Sequence, residues 1–209
     1  AALYSAFLAH NLVSQGKLDE ADPLIRRSLD LYEKRLGTDH PRYAGALKTR
    51  ASIEALRGQD QDAEKHYRQA LTIDERVVGP QSSAVADDLM NLVPLLKRSG
   101  KRQLANANIE RALAIRVAEF GAESPVTTGA ILASAQMAYE TGQYDEARRL
   151  VDRALQIQER GFGSKHHTMV AGWIFMSRLD IAQGKLDDAA GSMSSAAEVL
   201  ATARPPGNP

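Results

Sequence analysis

One short stretch of the sequence carries residue types that bind phosphate groups. Residues 161–165, Gly-Phe-Gly-Ser-Lys, combine glycines with a serine and a lysine. In a phosphate-binding loop these supply main-chain N–H groups, a hydroxyl for a metal ion and a positive charge. That loop also requires a preceding strand and a glycine directly before a Lys-Ser or Lys-Thr pair, and the sequence has neither here. We therefore expect no nucleotide site.

The histidines are the residues that could instead hold a metal ion. His166 and His167 are adjacent, and His40 occupies the same place as His166 in the internal repeat described below. Residues three repeats apart lie much farther from each other than the radius of a coordination sphere. His10 and His66 have no partner at ligand spacing. We expect no metal and no cofactor, and we expect some of the histidines between repeats to cap helices.

The composition excludes several further classes of function. The 209 residues include no cysteine, which removes cysteine nucleophiles, disulfides and thiolate zinc sites. The 26 basic and 26 acidic residues balance, so bulk charge does not favour nucleic acid. The longest apolar run, 169–176, is far shorter than the roughly 20 residues of a membrane helix. No nucleophile elbow, zinc-protease helix or kinase signature occurs. We expect a soluble protein that is not an enzyme and has no nucleic-acid or membrane partner; its compartment stays open, with the cytoplasm preferred.

The elements that would position any functional residue are set by an internal repeat of 42 residues. Glycines recur at this interval in short polar turns, at Gly16, Gly58, Gly100, Gly142 and Gly184. An alanine follows each of them after five residues, at Ala21, Ala63, Ala105, Ala147 and Ala189. A second series of glycines recurs at Gly37, Gly79, Gly121 and Gly163. Several positions in register over five copies indicate an array of repeating units.

Each repeat predicts two helices joined by a glycine turn. Apolar residues recur at helical spacing on both sides of the first glycine, which supplies the left-handed conformation of a tight turn. The second glycine ends the second helix, and Ser124-Pro125 predicts the cap and first turn of the next one. Because alanines at contact positions let helices approach closely, we expect Ala63, Ala105 and Ala147 to be buried between paired helices. One pair cannot bury both of its faces, so the pairs must stack.

The repeat resembles the tetratricopeptide repeat, and its 42-residue length resembles the variant of kinesin light chain and its bacterial relatives. Residues 15–24, Gln-Gly-Lys-Leu-Asp-Glu-Ala-Asp-Pro-Leu, and 36–41, Leu-Gly-Thr-Asp-His-Pro, carry the resemblance most clearly, followed by 143–163. The resemblance implies an all-α fold, a right-handed α–α superhelix of five helix–turn–helix repeats, and it favours a bacterial origin. The expected organisation is a single array over 1–203, with repeats at about 2–43, 44–85, 86–127, 128–169 and 170–203, and a disordered tail at 204–209.

The chain departs from the family pattern at places that bear on function. Many such repeats carry two asparagines early in the first helix, which clamp the backbone of a bound peptide, and at the matching positions here only Asn91 is an asparagine. Pro94 lies inside the first helix of the third repeat, where it should kink or shorten that helix. Arg50 and Glu54 occupy positions that are usually apolar, and we expect them to pair along their helix.

The resemblance implies that the first helices line a concave face, which is the expected binding surface for a peptide or partner protein. The candidate binding residues on that face are Lys48, Asp87, Asn91, Lys97, Arg98, Tyr139 and Arg178, and Ser52, Gln136, Glu140 and Phe175 lie there at the same helical spacing. Basic residues outnumber acidic ones among them, so we expect an extended, acidic peptide, with Asn91 on its backbone and Tyr139 as an aromatic contact. A solvated face without a ligand is the alternative.

Two functions follow from such a surface. The first is a non-enzymatic scaffold for protein interactions. The second is a regulatory segment of a larger multidomain signalling protein whose effector domain lies outside this chain. The sequence opens where the first helix of a repeat begins, so we expect no leader, and the last helix is expected to expose an apolar face. Self-association through this C-terminal end is a further prediction.

Overall fold

The computed structural model describes residues 2–203, which form ten α-helices and one 3-10 helix, with no strand in that range. The chain divides into two compact units, Ala1–Ile115 and Arg116–Pro209. The first unit contains α1 (Ala2–Ser14), α2 (Leu18–Leu36), α3 (Pro41–Leu56), α4 (Asp60–Val77), α5 (Ser83–Arg98) and most of α6 (Arg102–Phe120). The second unit contains the 3-10 helix Pro125–Thr127, then α7 (Thr128–Glu140), α8 (Tyr144–Phe162), α9 (Met169–Ala182) and α10 (Leu186–Ala203). The predicted all-α fold of helix–turn–helix repeats is confirmed; the predicted tail at 204–209 lies outside the described residues.

Consecutive helices form the expected pairs. Within the units α1 packs on α2, α3 on α4, α7 on α8 and α9 on α10, and the second helix of a pair packs on the first helix of the next, as α2 does on α3 and α8 on α9. Helices α3 and α5 begin three residues before the predicted repeat starts at 44 and 86. The single array over 1–203 stays a prediction.

The first glycine series lies in the turns that end the first helices. At Gly58 φ is +76°, the N–H of Gln59 donates to the carbonyl of Glu54 at 2.8 Å, and the N–H of Gly58 donates to that of Ala55 at 3.2 Å. These two hydrogen bonds form a Schellman motif, whose left-handed residue is least costly as glycine. In the other four repeats the residue after the glycine likewise donates its N–H to the carbonyl five residues before it. The 42-residue spacing of the glycines is therefore the spacing of helix ends.

Small side chains let the two helices of a pair touch. Ala63, Ala105 and Ala147 are each 0% exposed, as predicted. In the second unit Ala147 belongs to an apolar core with Val151 and Leu179. A methyl group at each contact leaves the large side chains to fill the space on either side of it.

Side chains in the connections between repeats cap the following helices. The Nδ1 of His40 accepts a hydrogen bond from the N–H of Arg42 at 3.1 Å, which confirms the capping role expected for such histidines. The Oγ of Ser124 accepts from the N–H of Val126 at 3.4 Å. Ser124 caps the 3-10 helix, however, so α7 itself begins only at Thr128.

The departures from the repeat pattern leave their helices continuous. Pro94 does not shorten α5, which continues for four residues beyond it. The Nε of Arg50 donates to Glu54 at 2.6 Å, as expected, while its Nη1 donates to Asp22 on α2 at 2.8 Å. The Nδ1 of His66 on α4 lies 2.7 Å from the other carboxylate oxygen of Glu54. This polar network joins α2, α3 and α4 within the first unit.

The alanine contact predicts the cost of a larger side chain. Ala105→Leu should lower the free energy of unfolding by about 1–3 kcal/mol, because α5 and α6 would have to move apart or the leucine leave its rotamer. Ala107→Leu is the matched control, since Ala107 is exposed on the same helix and its replacement should be nearly neutral. Urea unfolding compares the two. An unchanged midpoint for Ala105→Leu would show that this alanine is not a tight contact.

Candidate functional site

Four helices of the first unit enclose a groove of about 470 Å³. It is lined by residues of α1, α3, α4 and α5, namely Val13, Ser14, Ser52, Ala55, Leu56, Tyr67, Met90, Asn91, Pro94, Leu95 and Arg98. We call this set the groove. Ser14, Leu56 and Arg98 occupy the same place in three successive repeats, so the regular spacing of the first helices brings them to one surface.

Apolar side chains form the accessible part of the groove. Leu56, at the end of α3, is 62% exposed. On α5, Met90 is half-buried and Pro94 is exposed. Covering an apolar side chain stabilises a complex by roughly 25 cal/mol for each Å² removed from water. The groove therefore favours a ligand that presents an apolar group.

Two hydroxyl groups in the groove are bonded to each other. The Oγ of Ser52 donates to the carbonyl of Lys48 at 3.0 Å, so in its 2.8 Å contact with Tyr67 the tyrosine hydroxyl is the donor. Burial raises the pKa of Tyr67, which keeps this hydroxyl protonated. Both hydroxyl protons are donated within the protein, so towards a ligand the two hydroxyl groups can only accept hydrogen bonds.

A buried ionic cluster holds together α3, α4 and α5. The Nζ of Lys48 lies 2.9 Å from Oδ2 of Asp74 and 3.0 Å from Oδ1 of Asp88. Burial raises the pKa of Asp88 to about 7, an effect that Lys48 opposes and the neighbouring Asp74 reinforces. Burial by itself would lower the pKa of Lys48, but the two aspartates outweigh it and the pKa is raised. One ammonium thus serves two carboxylates, and a proton on Asp88 brings the cluster to neutrality.

These contacts change the roles expected for the basic residues of the first unit. Lys48 is half-buried and paired with Asp74 and Asp88, and its contact with a ligand stays a prediction. Arg98 forms a bidentate pair with Asp60 at 2.7 and 2.6 Å, a hydrogen-bonded contact that raises the pKa of Arg98 and lowers that of Asp60. Asp87 is exposed and Lys97 half-buried, and each has an interaction of its own within the protein. The positive excess that predicted an acidic ligand is therefore largely balanced in this unit.

The second unit brings two of the predicted residues, Tyr139 and Arg178, into contact. The guanidinium carbon of Arg178 lies 5.1 Å from the ring centre of Tyr139 and 5.5 Å from that of Phe175. The two rings meet edge to face with their centres 5.9 Å apart. The Nη1 of Arg178 also donates to Oε1 of Gln136 at 3.2 Å. Within residues 2–203 no carboxylate pairs with this guanidinium, which is exposed and lies within 5.5 Å of the centres of two aromatic rings.

The contacts of Arg178 include Phe175 and Gln136, which helical spacing and the repeat place on the same face, three and 42 residues before it. Two residues of the groove, Leu56 and Met90, are missing from the predicted ones. Leu56 and Met90 give the groove its apolar character. The signal for Leu56 is a large apolar residue where the other repeats have a serine, an arginine, a glutamate and an alanine.

Two further kinds of site are absent from the described part of the chain. Between residues 2 and 203, no group of three histidine, aspartate or glutamate side chains comes together closely enough to hold a metal ion. None of the helices described here is long and apolar enough to cross a bilayer.

The paired helices, Schellman turns and alanine contacts define a helical repeat protein. The tetratricopeptide repeat family matches residues 1–76, 44–117 and 127–201, and the chain belongs to this family. No curated protein matches it.

Solved structures show the same fold at low sequence identity. The crystal structure of BtubC (BKLC) from P. vanneervenii is 20% identical and matches over 98% of this chain and 82% of its own, with a TM-score of 0.77. A Podosopora anserina protein of nearly identical, kinesin light chain-type TPR-like repeats is 22% identical, covers 97% and 96% of the two chains and has a TM-score of 0.74. The Pyrococcus horikoshii STAND protein PH0952, which has a tetratricopeptide repeat sensor, matches over 97% of this chain but only 37% of its own, at 14% identity and a TM-score of 0.66. The kinesin light chain-like character of the repeats is thereby confirmed.

The buried Asp88 makes stability depend on pH in a definite direction. Its pKa is 3.8 in the absence of burial and about 7 in the folded protein. Between these values the folded state holds a proton that the unfolded state has released, so the contribution of Asp88 to the free energy of unfolding falls as pH rises through this window. Asp88→Asn should remove the fall and raise the free energy of unfolding above pH 7 by on the order of 1–3 kcal/mol. Urea unfolding of variant and wild type on both sides of the window measures the difference.

Asp30→Asn is the control, because Asp30 is an exposed carboxylate on α2. It measures what the loss of one exposed carboxylate does to the free energy of unfolding at each pH. A difference between Asp88→Asn and wild type that is the same on both sides of the window would contradict the assignment of the proton to the cluster.

Proposed function

We propose that this protein is a non-enzymatic scaffold that binds an extended peptide segment of a partner protein on the surface of its first helices. Membership of the tetratricopeptide repeat family supports a role in protein interactions. The observation that carries the finer proposal is the groove, in which exposed Leu56 and Pro94 lie beside Asn91. Such a recess offers an apolar contact for a side chain and a carboxamide for a peptide group.

We propose that the preference for an acidic partner resides in the second unit. Arg178 is held by Tyr139 and Phe175, so little side-chain freedom is lost when it binds. An arginine fork can hold a carboxylate with two parallel hydrogen bonds. In the first unit Arg98 already uses this geometry with Asp60, so Asn91 and Lys97 remain the proposed polar contacts there.

A regulatory segment of a larger signalling protein is the second candidate function. The tetratricopeptide repeat sensor of PH0952 belongs to a longer protein, of which the match covers only 37%. The coding sequence on either side of this segment decides between the candidates, because an adjoining nucleotide-switch or protease-like domain would favour regulation. The bacterial origin stays a prediction.

Self-association through α10 is a further proposal. Met193 and Leu200 are 50% and 53% exposed, whereas Val151 and Gln158, which hold the same places in the preceding repeat, are 0% and 5% exposed. A second copy that covers this apolar face would give a mass that rises with protein concentration in sedimentation velocity. A constant monomer mass contradicts the proposal.

Selection of peptides tests the scaffold function. Wild-type protein is used to select from a random dodecapeptide library at low salt, and the best binder is synthesised and titrated by fluorescence anisotropy. Leu56→Glu should weaken its binding by about ten- to a hundredfold, because it removes an apolar contact and places a charge in the groove. Leu104→Glu is the matched control, since Leu104 is 50% exposed on α6 outside the groove. Equal affinity for both variants and wild type contradicts the groove as the binding site.

The same selection tests the acidic preference. Aspartate and glutamate should be enriched among the selected peptides, and the enrichment should disappear when Arg178→Gln replaces wild type in the selection. Arg27→Gln, at an exposed arginine of α2, should leave it intact. Added salt should reduce the enrichment, since exposed charges are screened over about 8 Å at physiological ionic strength.

A further inference from the structure

Pro94 lies inside α5 and faces the groove. The helix runs from Ser83 to Arg98 without a break, so a full turn follows the proline. Pro94 is exposed and lines the groove together with Met90, the residue one turn before it. A proline in this position is unfavourable for the helix, because it lacks the N–H that the helix interior uses and its ring crowds the preceding turn. Helix stability therefore gives no reason for Pro94.

The missing N–H leaves the main-chain carbonyl of Met90 without its helical hydrogen bond. In an α-helix the carbonyl of residue i accepts from the N–H of residue i+4, which for Met90 is Pro94. In an α-helix that carbonyl points along the axis towards residue 94, where a proline ring crowds it. Met90 and Pro94 both line the groove, so the turn of α5 that lacks this hydrogen bond borders the groove. Main-chain carbonyls are strong acceptors that proteins rarely leave without a partner.

Asn91 places complementary groups next to this carbonyl. It follows Met90 directly, is exposed and lines the groove. Its carboxamide both donates and accepts hydrogen bonds. An extended peptide presents N–H and C=O groups along its edge, and these match a carbonyl and a carboxamide that stand side by side. Leu56, 62% exposed, offers an apolar surface to a neighbouring side chain of such a peptide.

We propose that the carbonyl of Met90, freed by Pro94, accepts a hydrogen bond from a main-chain N–H of the bound peptide, while Asn91 holds an adjacent peptide group. The inference rests on the proposed function and adds the chemistry of the partner. The partner is an extended segment with an apolar side chain towards Leu56 and a residue other than proline opposite Met90. A lysine or arginine side chain is the other kind of donor that can reach a carbonyl, and the test separates the two.

Pro94→Ala tests the inference because it returns an N–H to the helix and closes the carbonyl of Met90. The probe is the synthetic dodecapeptide selected by wild-type protein, with a set of analogues each N-methylated at one residue. One analogue should bind wild type about three- to tenfold more weakly, which corresponds to one hydrogen bond. Pro94→Ala should bind the parent peptide more weakly by a similar factor and show no further loss with that analogue. Two changes that remove the same hydrogen bond do not add.

Pro23→Ala is the matched control, because Pro23 is the other proline inside a described α-helix and lies outside the groove. Both proline variants should raise the urea midpoint, but only Pro94→Ala should affect peptide binding. Additive losses, or an N-methylated series that binds like the parent, overturn the inference. Loss of affinity only when a lysine or arginine of the peptide is replaced assigns the donor to a side chain and also overturns it. In each of these cases sensitivity to Leu56→Glu leaves the proposed function standing, whereas a peptide bound equally by that variant contradicts the proposed function itself.

Discussion

Close contact between paired helices is the constraint on which the rest of this protein depends. The five alanines that follow the turn glycines are between 0% and 5% exposed, so each pair meets at a methyl group. Helices this close need short connections, and the Schellman turns provide them. Because contact and turn both recur every 42 residues, the free sides of successive first helices recur as well. This is why Ser14, Leu56 and Arg98, from three different repeats, line one groove.

The same constraint explains why charge on the first helices is a poor guide to ligand chemistry. Asp88 stands where three of the other four repeats have Ala46, Ala130 and Gly172, and a Cβ on Gly172 would lie 2.5 Å from a methyl carbon of Leu155. A carboxylate buried there needs a counter-charge, and Lys48 supplies it. The positive charge of Lys48, which the sequence pattern assigns to ligand binding, stabilises a buried carboxylate. What remains for recognition in the first unit is apolar contact and hydrogen bonding.

The fold was predictable from sequence and the site only in part, for a physical reason. Helix ends and helix contacts depend on residue type at short range, so the glycine and alanine series were enough to place them. The partners of Arg98 and Lys48 lie on other helices, 38 and 26 or more residues away, where a count of charges cannot assign them. The repeat places Arg178 and Tyr139 on first helices, but their direct contact, with Phe175 beside both, required the structure.

Helix α5 departs most from the repeat pattern, and its packing explains how it tolerates these departures. Between 88 and 94 it carries a buried carboxylate, an exposed asparagine and an interior proline, and the proline alone costs about 3 kcal/mol in a helix. The same helix buries Leu89, Leu92, Leu95 and Leu96, each at most 3% exposed. Each buried leucine contributes about 1.5–3 kcal/mol, so the four together exceed the cost of the proline. A helix anchored in this way tolerates the loss of one main-chain hydrogen bond. The carbonyl of Met90, which loses it, is the acceptor proposed for the partner.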